Sequence, residues 1–595
     1  MAKKRAPRAT RDPLSVIAVG ALLVVFPLAA TPAASDPVMP VRMVLLGLSL
    51  ALAILGTATG GLPRTVLWSL LAGGVVFLVT SLTGATPLLS LLGRYPRYEG
   101  LPMMAAYAAC LWVGARLLGP RSERLRNIGT SAVALAALVH AVVALVGLIV
   151  SPGDRVTGLL GNSTTLGVWG IVSVGLLGWR LSQDRRTLWV AGALAGAVTL
   201  VLSASRGALV GAGVAAAIAT VILLRGRRKG WWIPMVAAAA LVGAMLLVPT
   251  SRSRLTGTSP FSEATISGRL LLWQETWRMI RQDPLLGGGP SRFVDSINPF
   301  HTSQWAAAVG PYAPPDSPHS LILQVLASTG VVGLVAVLAL AGLLLWPLLR
   351  RADLDPWQAA GLTVALGVAA AYLTAFTDPI TTPLTALILG GAVATPRATY
   401  STAWKDRALA VLSALTGLFL GGTLLIAELI YSSALGGGVG AAEILRGAAA
   451  VRPFDPDLAR RVGYTIDRLA ESSKADPLVA VTLLVRTCPL LPGSIECLQA
   501  LADAQDLAGN HTAALETLDV ALGIDPYNVD SLLKKGVALA TMAKYEDAET
   551  AFLSAAALRP TAAEPWTDLS LLYNLMGRSS DAAAAAAKAE QFTKR

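Results

Sequence analysis

Thirteen apolar stretches, each close to the length that crosses a bilayer, divide the first 432 residues of this chain. A helix needs about 20 apolar residues to span the hydrocarbon core, and only helices and closed barrels satisfy their backbone groups there. The stretches cover roughly 13–31, 41–60, 65–84, 101–118, 127–150, 163–180, 187–203, 206–224, 231–249, 319–347, 357–376, 379–395 and 407–432. Two pairs are only thinly divided, 187–203 from 206–224 by SASRG and 357–376 from 379–395 by Thr377, Asp378 and Pro379, so either pair could be one broken element. Of the 595 residues 54% are hydrophobic and 14% charged. A soluble domain carries about 25% charged residues, so lipid must solvate most of this chain. The expected class is all-α: a polytopic transmembrane bundle of about 12–13 spans over residues 13–432.

The loops orient the bundle. Lys3, Lys4, Arg5, Arg8 and Arg11 pin residues 1–12 to the cytoplasmic side. Alternation then brings Arg64, the cluster Arg116 to Arg126, the cluster Arg180 to Arg186, the cluster Arg225 to Lys229, Arg350 with Arg351, and Arg397 with Lys405 and Arg407 to that same side. Basic residues concentrate in cytoplasmic loops, so the count and the charge pattern agree. The same distribution removes a nucleic-acid reading of the net charge of +12, which forms no single basic stripe. The basic head and first apolar run look like a signal peptide, but the many spans that follow favour an uncleaved first span. The opposite, extracytoplasmic side receives the loop GRYPRYEG, the loop SPGDRVTGLLGN, the turn SASRG, a large loop over 250–318 and everything after residue 440.

Residues 440–595 hold no run long enough to span. Pro492, Pro526 and Pro560 recur every 34 residues, as do Ala480, Ala514, Ala548 and Ala582. Thirty-four is the tetratricopeptide period, in which small residues let paired helices approach and proline ends each unit. The segment is therefore expected to be an α-solenoid that either binds a protein partner or only caps and stabilises the membrane part, with 453–491 as a degenerate first repeat. Cys488 and Cys497 in it are equally consistent with a disulfide and with buried thiols, and Cys110 lies in an apolar stretch. Four scattered histidines and no Cys/His spacing give no metal site and no cofactor.

The chemistry gathers on the extracytoplasmic side. His319, in DSPHSLILQVLASTG, opens a span; Ser317 is expected to cap that helix and Pro318 to begin it, placing His319 in the first turn. The positive helix end would keep the imidazole neutral, as a general base requires. Arg94 and Arg97 with Glu99, Arg206 and Arg269 supply guanidinium groups suited to phosphate oxygens, and Arg206 also opens a helix. Leu272, Trp273, Thr276, Trp277 and Ile280 recur at helical spacing and suggest a face lying on the membrane, with a close-approach turn at Gly287, Gly288, Gly289 and Pro290. Mid-membrane ionisable groups and internal repeats would mark a lipid or glycan transporter or flippase. A non-enzymatic envelope scaffold would leave the ordered Arg/His set without a use.

Taken in order, Arg97-x-Glu99-Gly100, Gly161-Asn162, Ser205-Arg206-Gly207, Arg269 with Trp273, Asp283-Pro284 with Gly287 and Gly289, and His319-Ser320 resemble the O-antigen ligase and polymerase superfamily of bacterial envelope enzymes. That resemblance implies a GT-C-type helical fold in the bacterial cytoplasmic membrane. It implies metal-independent transfer of a glycan from a polyprenyl-diphosphate carrier to a hydroxyl of a lipid, glycan or protein acceptor. Carried over, His319 would deprotonate the acceptor, and Arg206 and Arg269 would hold the diphosphate. Arg94, Arg97, Glu99, Asn162 and Trp273 would contribute to substrate binding.

Overall fold

The computed structural model describes residues 12–151, 155–257, 260–309, 315–400, 403–438 and 440–593. The basic head at 1–11 and residues 152–154 of the SPGDRVTGLLGN loop lie outside the described residues. The architecture is all-α apart from one two-stranded ribbon, multi-pass in its first part and repetitive in its last.

Each of the thirteen stretches is a helix. They are α1 (Pro13–Leu28), α2 (Met39–Leu55), α3 (Arg64–Thr83), α4 (Leu101–Leu117), α5 (Glu123–Val150), α6 (Ser163–Leu181), α7 (Thr187–Leu202), α8 (Arg206–Arg225) and α9 (Ile233–Leu247). After α10 (Pro249–Leu255) and α11 (Pro260–Ile280) come α12 (Leu321–Leu349), α13 (Pro356–Tyr372), α14 (Thr381–Val393) and α15 (Trp404–Ala434). Six of them, α3, α5, α6, α8, α12 and α15, are alone long and apolar enough to cross a membrane. The pair α9 and α10, bent by 107°, makes a seventh if it counts as one span. The others are shorter because turn residues cut them; α2, for example, runs 17 residues, with Pro40 in its first turn and Gly56 capping its end. Both thinly divided pairs are separate helices: Ser205 caps α8 by accepting the Ala208 N–H, and Asp378 accepts the N–H groups of Ile380 and Thr381 ahead of α14.

Small residues set the closest helix approaches, as expected where lipid removes the hydrophobic drive between helices. A Cβ on Gly114 would lie 2.0 Å from the Leu387 carbonyl oxygen, and one on Gly390 1.9 Å from that of Leu111, so α4 and α14 touch backbone to backbone. Gly47 and Gly417 do the same for α2 and α15.

The ribbon pairs β1 (Ala58–Gly61) with β2 (Thr395–Tyr400), antiparallel. It joins two connections that the basic residues had assigned to one side, although neither apolar pattern announces a strand.

Inside α12 the helix breaks at Gly330, whose φ is 62°. The glycine turn after α11 fits into the break. Val331 and Val332 donate to the carbonyls of Pro284 and Leu285, while Gly288 and Gly289 donate to those of Ala327 and Ser328. The close approach read from Gly287-Gly288-Gly289 is thus made to another helix. The face of α11 expected to lie on the membrane turns out to pack on protein. Leu272, Met279 and Ile280 are buried against Phe293, Ile297, Trp305, Leu326 and Ala327, and Thr276 is fully buried; Trp277 stays half exposed.

The C-terminal part stacks α16 (Ala441–Val451), α17 (Pro456–Glu471), α18 (Pro477–Thr487), α19 (Ile495–Leu507), α20 (His511–Ile524), α21 (Val529–Thr541), α22 (Tyr545–Leu558), α23 (Ala563–Leu575) and α24 (Ser579–Thr593). Side chains of Asp455, Asp476, Ser494, Asn510 and Asn528 cap α17 to α21. Ala480, Ala514 and Ala548 are fully buried where paired helices touch, and Ala582 nearly so. Cys488 and Cys497 are disulfide-bonded, which resolves the choice the sequence left open. The repeats sit on the loops of the membrane part: Arg94 reaches Asp457 and Asp295, Asn298 donates to the Gly493 carbonyl, and His301 Nδ1 lies 2.9 Å from Asp525.

Candidate functional site

His319 does not occupy a first helical turn. Ser320 is the N-cap residue of α12 and the helix starts at Leu321, leaving His319 ahead of it with φ 49°. Side chains from two other segments bond the carbonyls of the stretch that precedes the helix. Trp273 Nε1 donates to the Pro318 carbonyl at 2.8 Å, and Arg97 Nη2 to the Asp316 carbonyl at 2.7 Å. Ser317 Oγ accepts the N–H of His319 itself. Two bonds from other segments and one local bond therefore surround this residue, whose left-handed conformation a non-glycine residue seldom adopts.

The imidazole is largely buried. Burial first, then the Arg269 and Arg97 guanidiniums, push its pKa down to about 4, against the opposing pull of Asp316. The neutral form expected from the helix end is thus produced chiefly by desolvation. Phe376 packs its ring 5.4 Å from the imidazole and 4.5 Å beneath the Arg97 guanidinium, so one aromatic side chain supports both.

Arg269 belongs to a cluster with Arg206, Arg254 and Arg155. Burial, followed by Arg206 and Arg254, holds the Arg269 pKa below the ordinary arginine value. Burial, then Arg254 and Arg269, lowers Arg155 to about 10. Arg206 is held by the Arg254 carbonyl, to which its Nε donates at 2.9 Å, and Arg269 Nη1 donates to the Thr374 carbonyl at 3.3 Å. Among the described residues none of these four guanidiniums has a carboxylate within ion-pair distance, and Arg155 Nε has no partner at all. Cations that repel one another, two of them bonded to carbonyls, have the chemistry to receive a multivalent anion.

Glu99 sits beside Arg97 at 3.6 Å and accepts from the Tyr107 hydroxyl at 2.8 Å; burial raises its pKa. Arg97, further tied to the Asp316 carboxylate at 3.2 Å, connects the GRYPRYEG loop to the His319 segment. Trp273 does so from α11, one turn beyond Arg269.

Arg94 is a correction to the sequence reading. Its side chain is 4% exposed and neutralised by Asp457 and Asp295, which leaves no fork for a phosphate. Its role is to join loop and repeats. Asn162 is exposed and spends its carbonyl oxygen capping α6 through Thr164 and Thr165 N–H groups; no contact joins it to the cluster. Sequence reasoning missed Arg155, Arg254, Asp316 and Phe376. The first two could have been found, since they are basic residues on the side opposite the cytoplasmic clusters. Nothing local marks Phe376.

Residues 191–338 match the O-antigen ligase family, Wzy_C. That segment runs from α7 into α12 and contains Arg206, Arg254, Arg269, Trp273 and His319. At a coarse level the match supports a membrane glycosyltransferase or ligase. No curated protein matches the chain. Similar solved structures include the crystal structure of MamA, 19% identical over 26% of this chain and 88% of that one, with a TM-score of 0.23. They also include MamA from Desulfovibrio magneticus RS-1, at 18%, 29%, 96% and 0.25, and a thermophilic TPR protein in Thermus thermophilus, at 21%, 29%, 91% and 0.24.

Proposed function

With residues 191–338 matching the O-antigen ligase family, we propose that this protein moves a glycan from a polyprenyl-diphosphate carrier to an acceptor hydroxyl on the extracytoplasmic face of a bacterial inner membrane. The observation that carries the reading is the meeting of a buried, neutral histidine with an arginine cluster that has no carboxylate within ion-pair distance among the described residues. His319 takes the proton of the acceptor hydroxyl. The freed oxygen attacks the anomeric carbon, and the bond from that carbon to the diphosphate oxygen breaks. Polyprenyl diphosphate leaves with the electron pair and with inversion at carbon. Arg206, Arg269, Arg155 and Arg254 meet the charge that develops on it, the kind of preorganised stabilisation that lowers barriers most. Arg97, Glu99 and Trp273 fix the His319 segment.

A donor in this seat also acts on the base. Arg269 depresses the His319 pKa, so a diphosphate that neutralises it raises that pKa and makes the imidazole more basic when the substrate is present. Residues 13–432 form the transferase, and residues 440–595 an extracytoplasmic repeat domain; a disulfide within the repeats suits an oxidising compartment. Ligase and polymerase chemistry share every step above and differ only in the acceptor.

The test is a reconstituted transfer assay with a purified polyprenyl-diphosphate-linked oligosaccharide, comparing wild type with His319→Ala. Release of polyprenyl diphosphate by wild type alone is expected, and the size of the product separates ligase from polymerase. Equal turnover by the two proteins would remove His319 as the base.

A further inference from the structure

We propose that the inner face of the repeat domain holds a pocket for a lysine or arginine side chain of a partner polypeptide, built around Asp467 on α17 with Asp503 on α19 and Asp530 on α21. The first helices of successive repeats, α17, α19 and α21, pack side by side, and Lys534 bonds across them to Asp503 at 2.8 and 3.0 Å. Polar residues line the row, with Gln499 donating to both Asn528 and Ser531.

Asp467 is the member that this network does not serve. It is 1% exposed, and its Oδ1 has no hydrogen-bond partner among the described residues. Burying a carboxylate without partners is costly, and native proteins seldom leave one so. The charged groups that face it are Asp503 from α19, Lys534 from α21, and Glu471 and Arg468 from its own helix. Both cations are already committed. Arg468 pairs with Glu471 at 2.8 Å, and Lys534 lies 2.8 Å from Asp503 and 3.8 Å from Asp530. Three aspartates thus share one lysine. Burial, with Asp503 and Glu471 adding to it, raises the Asp467 pKa to about 7.

The rim is open: Lys534, Asp503 and Asp530 keep 27%, 25% and 41% of their side-chain surfaces exposed. Tyr464, one turn before Asp467, is 47% exposed and lies within electrostatic reach of Lys534. A deep carboxylate one helical turn from an exposed aromatic ring suits a cationic head on an apolar stem, the stem lying on the ring while the carboxylates take the charge. The excess of negative charge argues for a basic segment. It lies on the same helix as Asp457, about 15 Å along it, so a partner held there is presented next to the membrane part.

The probe is a fluorescent decamer of L-lysine, titrated into the full-length protein in detergent. Binding is expected to be tighter at pH 8 than at pH 6, because the cation needs Asp467 ionised. Asp467→Asn should weaken it by about tenfold, the worth of one charge-assisted hydrogen bond, and should flatten the pH dependence. Lys534→Ala removes the competing ammonium and should tighten binding, a result that stands even if the Asp467 variant folds poorly. Unchanged affinity in either folded variant overturns the proposal. So does thermal stabilisation by calcium that Asp467→Asn abolishes, since the pocket would then be a metal site.

Discussion

Arg94 and Asp457 lie 363 residues apart in the chain and face each other through two parallel hydrogen bonds of 2.8 Å, Nε to Oδ2 and Nη2 to Oδ1. Asp295, from the large loop, closes on the same guanidinium. Removing one partner of a buried ion pair costs about 3–5 kcal/mol, because the remaining charge stays buried and uncompensated. Arg94→Ala strands two carboxylates. It should lower the thermal midpoint and let a protease free the repeats; an unchanged midpoint and cleavage pattern would show that the joint holds without this pair.

The arginine cluster makes a prediction in which stability and activity part. Arg155 is pressed against other cations, so Arg155→Ala should leave the thermal midpoint unchanged or raise it. The same change should raise the KM for the lipid-linked donor by roughly 10- to 100-fold, the range for a hydrogen bond to a charged group. Arg206→Ala, which removes a donor to the leaving group, should lower kcat by about 10²–10³-fold. Parallel loss of stability and donor binding in Arg155→Ala would make it a structural residue.

In the proposed reaction the base works deprotonated. The His319 pKa in the free enzyme is pushed down to about 4, so kcat/KM should stay flat through neutral pH and fall only as the pH approaches that value. The profile of kcat, which reports the donor-bound enzyme, should break at a higher pH. Identical breaks in the two profiles would mean that the donor does not neutralise Arg269.

Gly330 tests the break in α12. Its backbone is left-handed, and a methyl group on it would lie 2.2 Å from the Leu285 carbonyl, which leaves no room for Gly330→Ala. The substitution should cost at least about 1–3 kcal/mol in strain, read as a lower thermal midpoint. A neutral result would mean that the turn after α11 can move away freely.

Much of the bundle was legible because lipid imposes a simple rule: every stretch apolar for about twenty residues must satisfy its own backbone. The repeats were legible through their 34-residue period. His319, Arg206 and Arg269 stood out because charge is expensive at a span end. What escaped depends on partners distant in sequence. Arg94 and Arg97 look alike in GRYPRYEG, yet one is neutralised by Asp295 and Asp457 while the other anchors the base segment. The stripe on α11 had the spacing of a membrane-facing helix, but spacing cannot say whether lipid or Phe293 and Leu326 will cover it. Nor could it show that α12 would start only after His319, with Trp273 and Arg97 bonding the carbonyls of Pro318 and Asp316 just before it.

The ribbon of β1 and β2 sets a clock on biosynthesis. Thr395 and Gly61, bonded through the Thr395 hydroxyl, are separated by 334 residues. At about 5–20 residues per second, the first strand leaves the ribosome roughly 20–70 s before its partner. Through that interval an unpaired strand edge waits beside the nascent bundle while the spans between the two strands are made. The bundle therefore cannot be fastened on that side helix by helix. It closes late, when the connection between α14 and α15 arrives and pairs with the segment that follows α2.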